Sequence, residues 1–220
     1  MGDVRVAQTL NTGWAVDWLR RSAAVVAENR VMLIELDREI GDGDHGENLD
    51  RGFSAIVAKL DEESPATPGA AFKLAAMTLM SKVGGAAGPL YGTAFLRAAT
   101  AVGDADELDS GLLSAALAAA RDGVVARGKA EVGEKTMIDA WTPAVDAAAA
   151  AAANGLSPAQ TLAAAASAAQ SGAESTDPLI ARKGRASYLG ERAIGHRDPG
   201  AASSALILQA AADAAAGAGA

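Results

Sequence analysis

Apolar residues recur at helical spacing along most of the chain. The clearest case is the stretch in which Leu112, Leu113, Ala116, Leu117, Ala120 and Val124 fall on one face. Asp109 is placed to cap that helix, which ends near Gly128. An earlier helix is predicted from a Thr12 cap to about Arg30, carrying Trp14, Trp18, Val25 and Val26. A short apolar block, Val31 to Leu36, leads into a polar segment from Asp37 to Asn48. The next helix then runs from about Asn48 to Leu60. Thr67-Pro68 and Ser157-Pro158 are start signals, a capping side chain followed by proline at the first helical position. The first opens a helix to about Lys82 and the second one to about Ser175. Further helices are predicted after Gly88-Pro89 to about Val102, from about Lys135 to Ala153 with a bend at Pro143, and from Ala201 to about Ala215.

That makes about eight helices, no persuasive strand alternation and no internal repeat or domain linker. The chain is expected to be one all-α domain spanning residues 1–220. Short connections favour antiparallel neighbours. Asp37–Asn48 and Asp177–Gly200 break the pattern, and long irregular segments in a compact domain are usually functional.

Composition sharpens this picture. Half of the 220 residues are hydrophobic but only 4% are aromatic. Alanine supplies much of the apolar share, and it has the best helix propensity. The net charge of −8 argues against nucleic acid and against an anionic membrane surface as partners. An acidic protein that binds a polyanion needs divalent cations at the site. With no cysteine and two histidines, disulfides, thiolate catalysis and a histidine-rich metal site are excluded. Met1-Gly2-Asp3-Val4-Arg5 shows no signal-peptide pattern. The alanine-rich stretch from Pro143 to Ala153 is too short to span a membrane and carries Asp146. A cytoplasmic location is expected.

The most informative segment is Leu36-Asp37-Arg38-Glu39-Ile40-Gly41-Asp42-Gly43-Asp44-His45-Gly46-Glu47-Asn48. Its glycines allow a curled backbone that turns Asp37, Asp42 and Asp44 toward one point. Three carboxylates held together require a cation. Magnesium suits them, since it takes carboxylates together with substrate phosphates. The EF-hand calcium pattern fails, because Gly46 stands at the third acidic position counted from Asp42. The alternative is a solvated turn. His45, by its neighbours, is a candidate phosphate or nucleotide contact.

No P-loop is present. Gly128 to Thr136 has two glycines at the right gap, but Glu134 intervenes before Lys135-Thr136. Ser81 to Thr93, rich in glycine and alanine, could let a flat ligand approach the backbone or could be an ordinary close-packed turn. Arg182 to Gly200 is strongly basic inside an acidic protein. It fits either a lid over phosphates or a solvated loop.

Together these segments resemble the L subunit of dihydroxyacetone kinase. The resemblance rests on Leu-Asp-Arg-Glu-Ile-Gly-Asp-Gly-Asp-His-Gly at 36–46, Gly-Gly-Ala-Ala-Gly-Pro-Leu at 84–90 and Lys-Thr-Met at 135–137. Arg-Lys-Gly-Arg-Ala-Ser-Tyr-Leu-Gly-Glu-Arg at 182–192 and His-Arg-Asp-Pro-Gly-Ala at 196–201 complete it. It implies a barrel of eight antiparallel helices with a nucleotide, ADP or ATP, at one end. Asp37, Asp42 and Asp44 would hold two magnesium ions. His45, Gly46, Glu47, Asn48, Ala86, Ala87, Gly128 and Met137 would adjoin the nucleotide. Arg185 would reach the phosphates as the catalytic cation, and Asp198, Pro199 and Gly200 would line the site from the lid. The family often has serine where this chain has Ala87, so one hydroxyl contact is missing.

The same resemblance implies partners: a K subunit that holds dihydroxyacetone and a phosphotransferase-system M subunit that rephosphorylates the nucleotide. It also allows a homodimer. Two other readings are an L component of an ATP-dependent ketose kinase with exchangeable nucleotide, and a non-enzymatic helical domain that binds a divalent ion.

Overall fold

The computed structural model describes residues 9–217. The segment Met1-Gly2-Asp3-Val4-Arg5 lies outside the described residues. The all-α reading holds. Nine α-helices are described: α1 Thr12–Glu28, α2 Arg30–Ile40, α3 His45–Glu62, α4 Pro68–Lys82, α5 Ala87–Val102, α6 Ser110–Gly128, α7 Ile138–Ala153, α8 Pro158–Glu174 and α9 Pro199–Gly217. A 3-10 helix covers Arg185–Ala193, and two-residue strands β1 Leu10–Asn11 and β2 Glu107–Leu108 pair antiparallel.

Three capping signals work as the sequence suggests. Thr67 Oγ1 accepts from Ala70 N at 3.1 Å, and Asp109 Oδ1 accepts from Leu112 N at 2.7 Å. Ser157 and Gln160 form a reciprocal capping box. Two expectations are corrected. The cap of α1 is Asn11, whose side chain accepts from Trp14 N, and not Thr12. The block after Arg30 is a true helix, α2, which continues through Asp37 to Ile40. Leu33, Asp37 and Ile40 share its buried face at helical spacing.

The helices close on themselves. From α3 to α9 each packs against the next, and α9 returns to pack against α1, which in turn packs on α3. Only Asn29 separates α2 from α1, and α2 shares the neighbours α3 and α9. From α2 to α9 each connector reverses the direction; most are short, and the long one is the segment between α8 and α9. One end of the assembly therefore collects the C-termini of α2, α4, α6 and α8 with the N-termini of α3, α5, α7 and α9. The opposite end is tied by bonds such as Thr12 Oγ1 to Ala66 O and Ser110 Oγ to Leu156 O.

The interior is filled by small residues and a few rings. Trp18 stacks on Trp14 with ring centroids 5.3 Å apart and meets Phe72 and Phe95 at 5.4 and 5.5 Å. Alanines dominate the buried positions of α7, α8 and α9. Without longer side chains between them, backbones can approach closely.

Candidate functional site

A cavity of about 500 Å³ opens at the end where those helix termini meet, within the size range of small-ligand sites. Four helices present their N-termini there, at His45, Ala87, Ile138 and Pro199. Unsatisfied amides and helix dipoles make such an end attractive to an anion.

Asp37 stands in the last turn of α2 and is buried. Its Oδ2 accepts from Asp44 N at 2.9 Å and His45 N at 3.1 Å. The carboxylate thus caps α3 across the turn, a task the preceding Asp44 side chain does not perform. The turn depends on two glycines. Gly43 adopts φ +74°, and a Cβ on Gly41 would collide with the Asp37 carboxylate. Oxygens of Asp37, Asp42 and Asp44 all lie within 4.8 Å of one another. Hard carboxylate oxygens at that spacing fit a magnesium ion, whose octahedral shell leaves room for waters and phosphate oxygens.

His45 opens α3 and reaches inward. Its Nε2 lies 2.9 Å from Ser203 Oγ on α9. Burial holds its pKa below the usual histidine value, against the pull of Asp37, Asp44 and the Pro199 carbonyl. The chain of contacts continues inward. Tyr91 OH lies 2.7 Å from Ser203 Oγ and 2.9 Å from Ser204 Oγ, and Trp141 Nε1 donates to Ser204 Oγ at 3.1 Å. One buried network therefore fastens α3, α5, α7 and α9 together beneath the cavity. Burial raises the Tyr91 phenol far above its ordinary pKa, so it stays protonated.

Asp198 caps α9, accepting from Ala201 N at 2.7 Å. Removal from water, with Asp139 and Asp37 nearby, pushes its pKa up to about 7, and Lys135 only partly offsets this. The basic segment, the candidate lid, begins after α8. Arg182 N donates to Glu134 O at 3.0 Å, and Arg185 Nη2 approaches Asp42 Oδ2 at 3.0 Å.

Of the residues named from sequence, Asp37, Asp42, Asp44, His45, Asn48, Ala86, Ala87, Gly128, Met137, Arg185, Asp198, Pro199 and Gly200 all line this one cavity. Gly46 and Glu47 stand off its wall. Gly46 is packed against the Arg30 carbonyl of α2, and Glu47 is exposed and paired with Arg30 at 3.4 Å. Tyr91 and Lys135 also line the cavity but received no role from sequence. Lys135 opens the quoted Lys-Thr-Met motif and Tyr91 follows the one at 84–90, so their positions were visible and their partners were not.

Comparison with known proteins agrees with this geometry. The DAK2 domain family model matches residues 39–213. The chain is 48% identical over 194 residues to the PEP-dependent dihydroxyacetone kinase ADP-binding subunit DhaL of Escherichia coli K12, covering 88% of this chain and 92% of that one. It is 46% identical to the corresponding subunit of dihydroxyacetone kinase 1 from Listeria innocua, covering 92% and 96%. The crystal structure of the C. freundii dihydroxyacetone kinase in complex with AMP-PNP and Mg2+ superposes with a TM-score of 0.69 at 25% identity. That match covers 97% of this chain and 36% of the longer one. The chain belongs to the DAK2 domain family, within its group of dihydroxyacetone kinase L subunits.

Proposed function

We propose that this chain carries a magnesium–adenine nucleotide and delivers its terminal phosphoryl group to dihydroxyacetone held on a separate K subunit. A phosphotransferase-system M subunit then restores the nucleotide. The observation that carries this reading is the grouping of three aspartate oxygens within 4.8 Å at the mouth of a cavity ringed by four helix N-termini. The relatives' names, an ADP-binding subunit of a PEP-dependent kinase in both cases, favour this phosphotransferase-dependent form over the ATP-exchanging alternative. No helix among the described residues is long and apolar enough to cross a membrane.

In this reading Asp37, Asp42 and Asp44 hold two magnesium ions. The metal supplies neutralisation of the phosphate charge, which the chain's own net charge of −8 would otherwise repel. The N-termini of α3, α5, α7 and α9 point amide dipoles at the anion. Glycine and alanine at Gly84, Gly85, Ala86 and Ala87 keep one wall low enough for a flat base. Arg185 brings a cation from the lid to the reacting phosphoryl group. Phosphoryl transfer asks mainly for positioning and charge compensation, and these residues offer both. The whole chain acts as one nucleotide-binding domain, built on the main hydrophobic core that runs from Leu10 to Ala215.

The test is to denature the purified protein and identify what it releases, then to assay it with a K partner. Retained ADP, with turnover driven by phosphoenolpyruvate through the relay and not by free ATP, is expected. Turnover on free ATP alone establishes the exchangeable-nucleotide form. A preparation that neither holds nor binds magnesium nucleotide overturns both.

A further inference from the structure

Lys135 lies in the α6–α7 connection and is 1% exposed, although lysine is among the residues least often buried. Its backbone takes φ 61°, a left-handed conformation that L side chains rarely adopt and that persists only where the surroundings dictate it. They do so here. The buried Asp139 carboxylate accepts from Gly133 N at 2.5 Å and Thr136 N at 2.8 Å, clamping the turn on both sides of Lys135. The ammonium is thereby driven inward, where Nζ donates to Thr176 O at 2.5 Å and Asp177 O at 3.3 Å.

The two residues that carry these acceptors are the entry point of the lid, and through other oxygens as well they receive its exit. Gly195 N donates to Asp177 O at 2.8 Å, and Arg197 Nε and Nη2 each donate to the Asp177 carboxylate at 3.0 Å. Asp198 N donates to Thr176 Oγ1 at 3.0 Å. The basic segment is therefore a loop whose two ends meet at one knot, with Lys135 beneath it. Asp198, the next residue out of the knot, begins the Asp198-Pro199-Gly200 wall and caps α9.

We propose that Lys135 is a positioning residue that ties the neck of the lid and so fixes the Asp198-Pro199-Gly200 wall against the nucleotide. This rests on the reading of the cavity as a nucleotide site. A buried ammonium is costly unless its donors are used, so simple space filling does not account for a lysine here. The carbonyls of Thr176 and Asp177 use those donors, and the nearby carboxylates of Asp198, Asp177 and Asp139 balance the charge. The failed P-loop of the sequence, with Lys135-Thr136 displaced by one residue, thus has a different use for its lysine. It grips main-chain oxygens instead of phosphate.

The experiment compares wild type with K135M, which keeps the length of the side chain and removes its donors. Two quantities are read: the dissociation rate of MgADP, and amide hydrogen exchange in residues 178–197 against that in α4 and α5, measured without ligand. In K135M both MgADP dissociation and lid exchange are expected to rise by at least about tenfold, while α4 and α5 exchange as in wild type. R197Q, which cuts the same knot from its solvent side, should raise them too. The double variant should show less than the product of the two effects, because both act on one neck. If K135M does not fold, K135Q is read in the same way, with a smaller rise expected because its amide can still donate. Wild-type lid exchange in the folded Lys135 variant overturns the proposal, whatever its melting temperature. A wild-type protein that binds no MgADP sinks the nucleotide reading instead, and the ligand-free exchange still decides the role of Lys135.

Discussion

Arg185 on the lid and Asp42 on the α2–α3 turn meet with Nη2 and Oδ2 3.0 Å apart. One carboxylate of the acidic trio is thus engaged by a guanidinium at the position where a metal fits. The pair is well exposed and contributes little to folding. Arg185→Ala is therefore expected to leave the melting temperature almost unchanged while lowering kcat on the order of 10²-fold, with a smaller change in nucleotide Kd. Steady-state kinetics with the K partner, alongside thermal unfolding, check both halves. An unchanged kcat removes Arg185 from the chemistry.

The trio separates into members with different second duties. Asp37 caps α3 through Asp44 N and His45 N, whereas Asp42 has no such bond. Asp37→Ala and Asp42→Ala should each weaken magnesium binding on the order of 100-fold or more. Without metal, Asp37→Ala is expected to lose about 1–2 kcal/mol of stability. Asp42→Ala should be neutral or slightly stabilising, since it relieves like-charge repulsion. Calorimetric magnesium titration and urea unfolding in chelator distinguish them.

Gly46 tests helix packing rather than ligand contact. A Cβ there would strike the Arg30 carbonyl and crowd Ile34. Gly46→Ala is expected to destabilise by about 1–3 kcal/mol through forced separation of α2 and α3. Nucleotide affinity then falls only through displacement of the neighbouring His45 and Asp44. Denaturant unfolding measures the first effect, and a wild-type midpoint contradicts it.

Asp198 gives a pH signature. Its pKa in the folded chain is raised to about 7 from an ordinary 3.8. The folded state therefore keeps a proton that the unfolded state releases. Stability from this group is complete below about 3.8 and declines as pH rises toward 7, after which it is flat. Asp198→Asn should flatten that part of the stability–pH profile, measured without metal or nucleotide. A profile identical to wild type between pH 4 and 7 refutes the assignment.

Much of this molecule was readable where the decisive bond is local. Thr67, Asp109 and Ser157 cap helices through amides three residues on, so sequence spacing suffices. The end of α2 was not readable for a matching reason. Asp37-Arg38-Glu39 reads as a solvated stretch until one knows that the Asp37 carboxylate is satisfied by amides seven and eight residues away. The acidic trio and the glycines around it were legible as a group. Tyr91 and Lys135 were not, because their partners lie 112 and 41 residues further along. Only the alternating direction of the helices, which returns every second connector to the same end, brings those partners into reach.

The ring seals late. Trp14 Nε1 donates to Ala211 O and Trp18 Nε1 to Ile207 O, across 197 and 189 residues of chain. As the chain leaves the ribosome, α1 must wait beside its neighbours like the first stave of an unhooped cask until α9 has emerged. Until then the two indole N–H groups lack these acceptors, and the face of α1 that α9 covers is open. Such long-range closure slows folding and lengthens the time during which nascent chains can stick to one another. With Trp141 replaced by phenylalanine, emission from the remaining two indoles would report on the packing of α1.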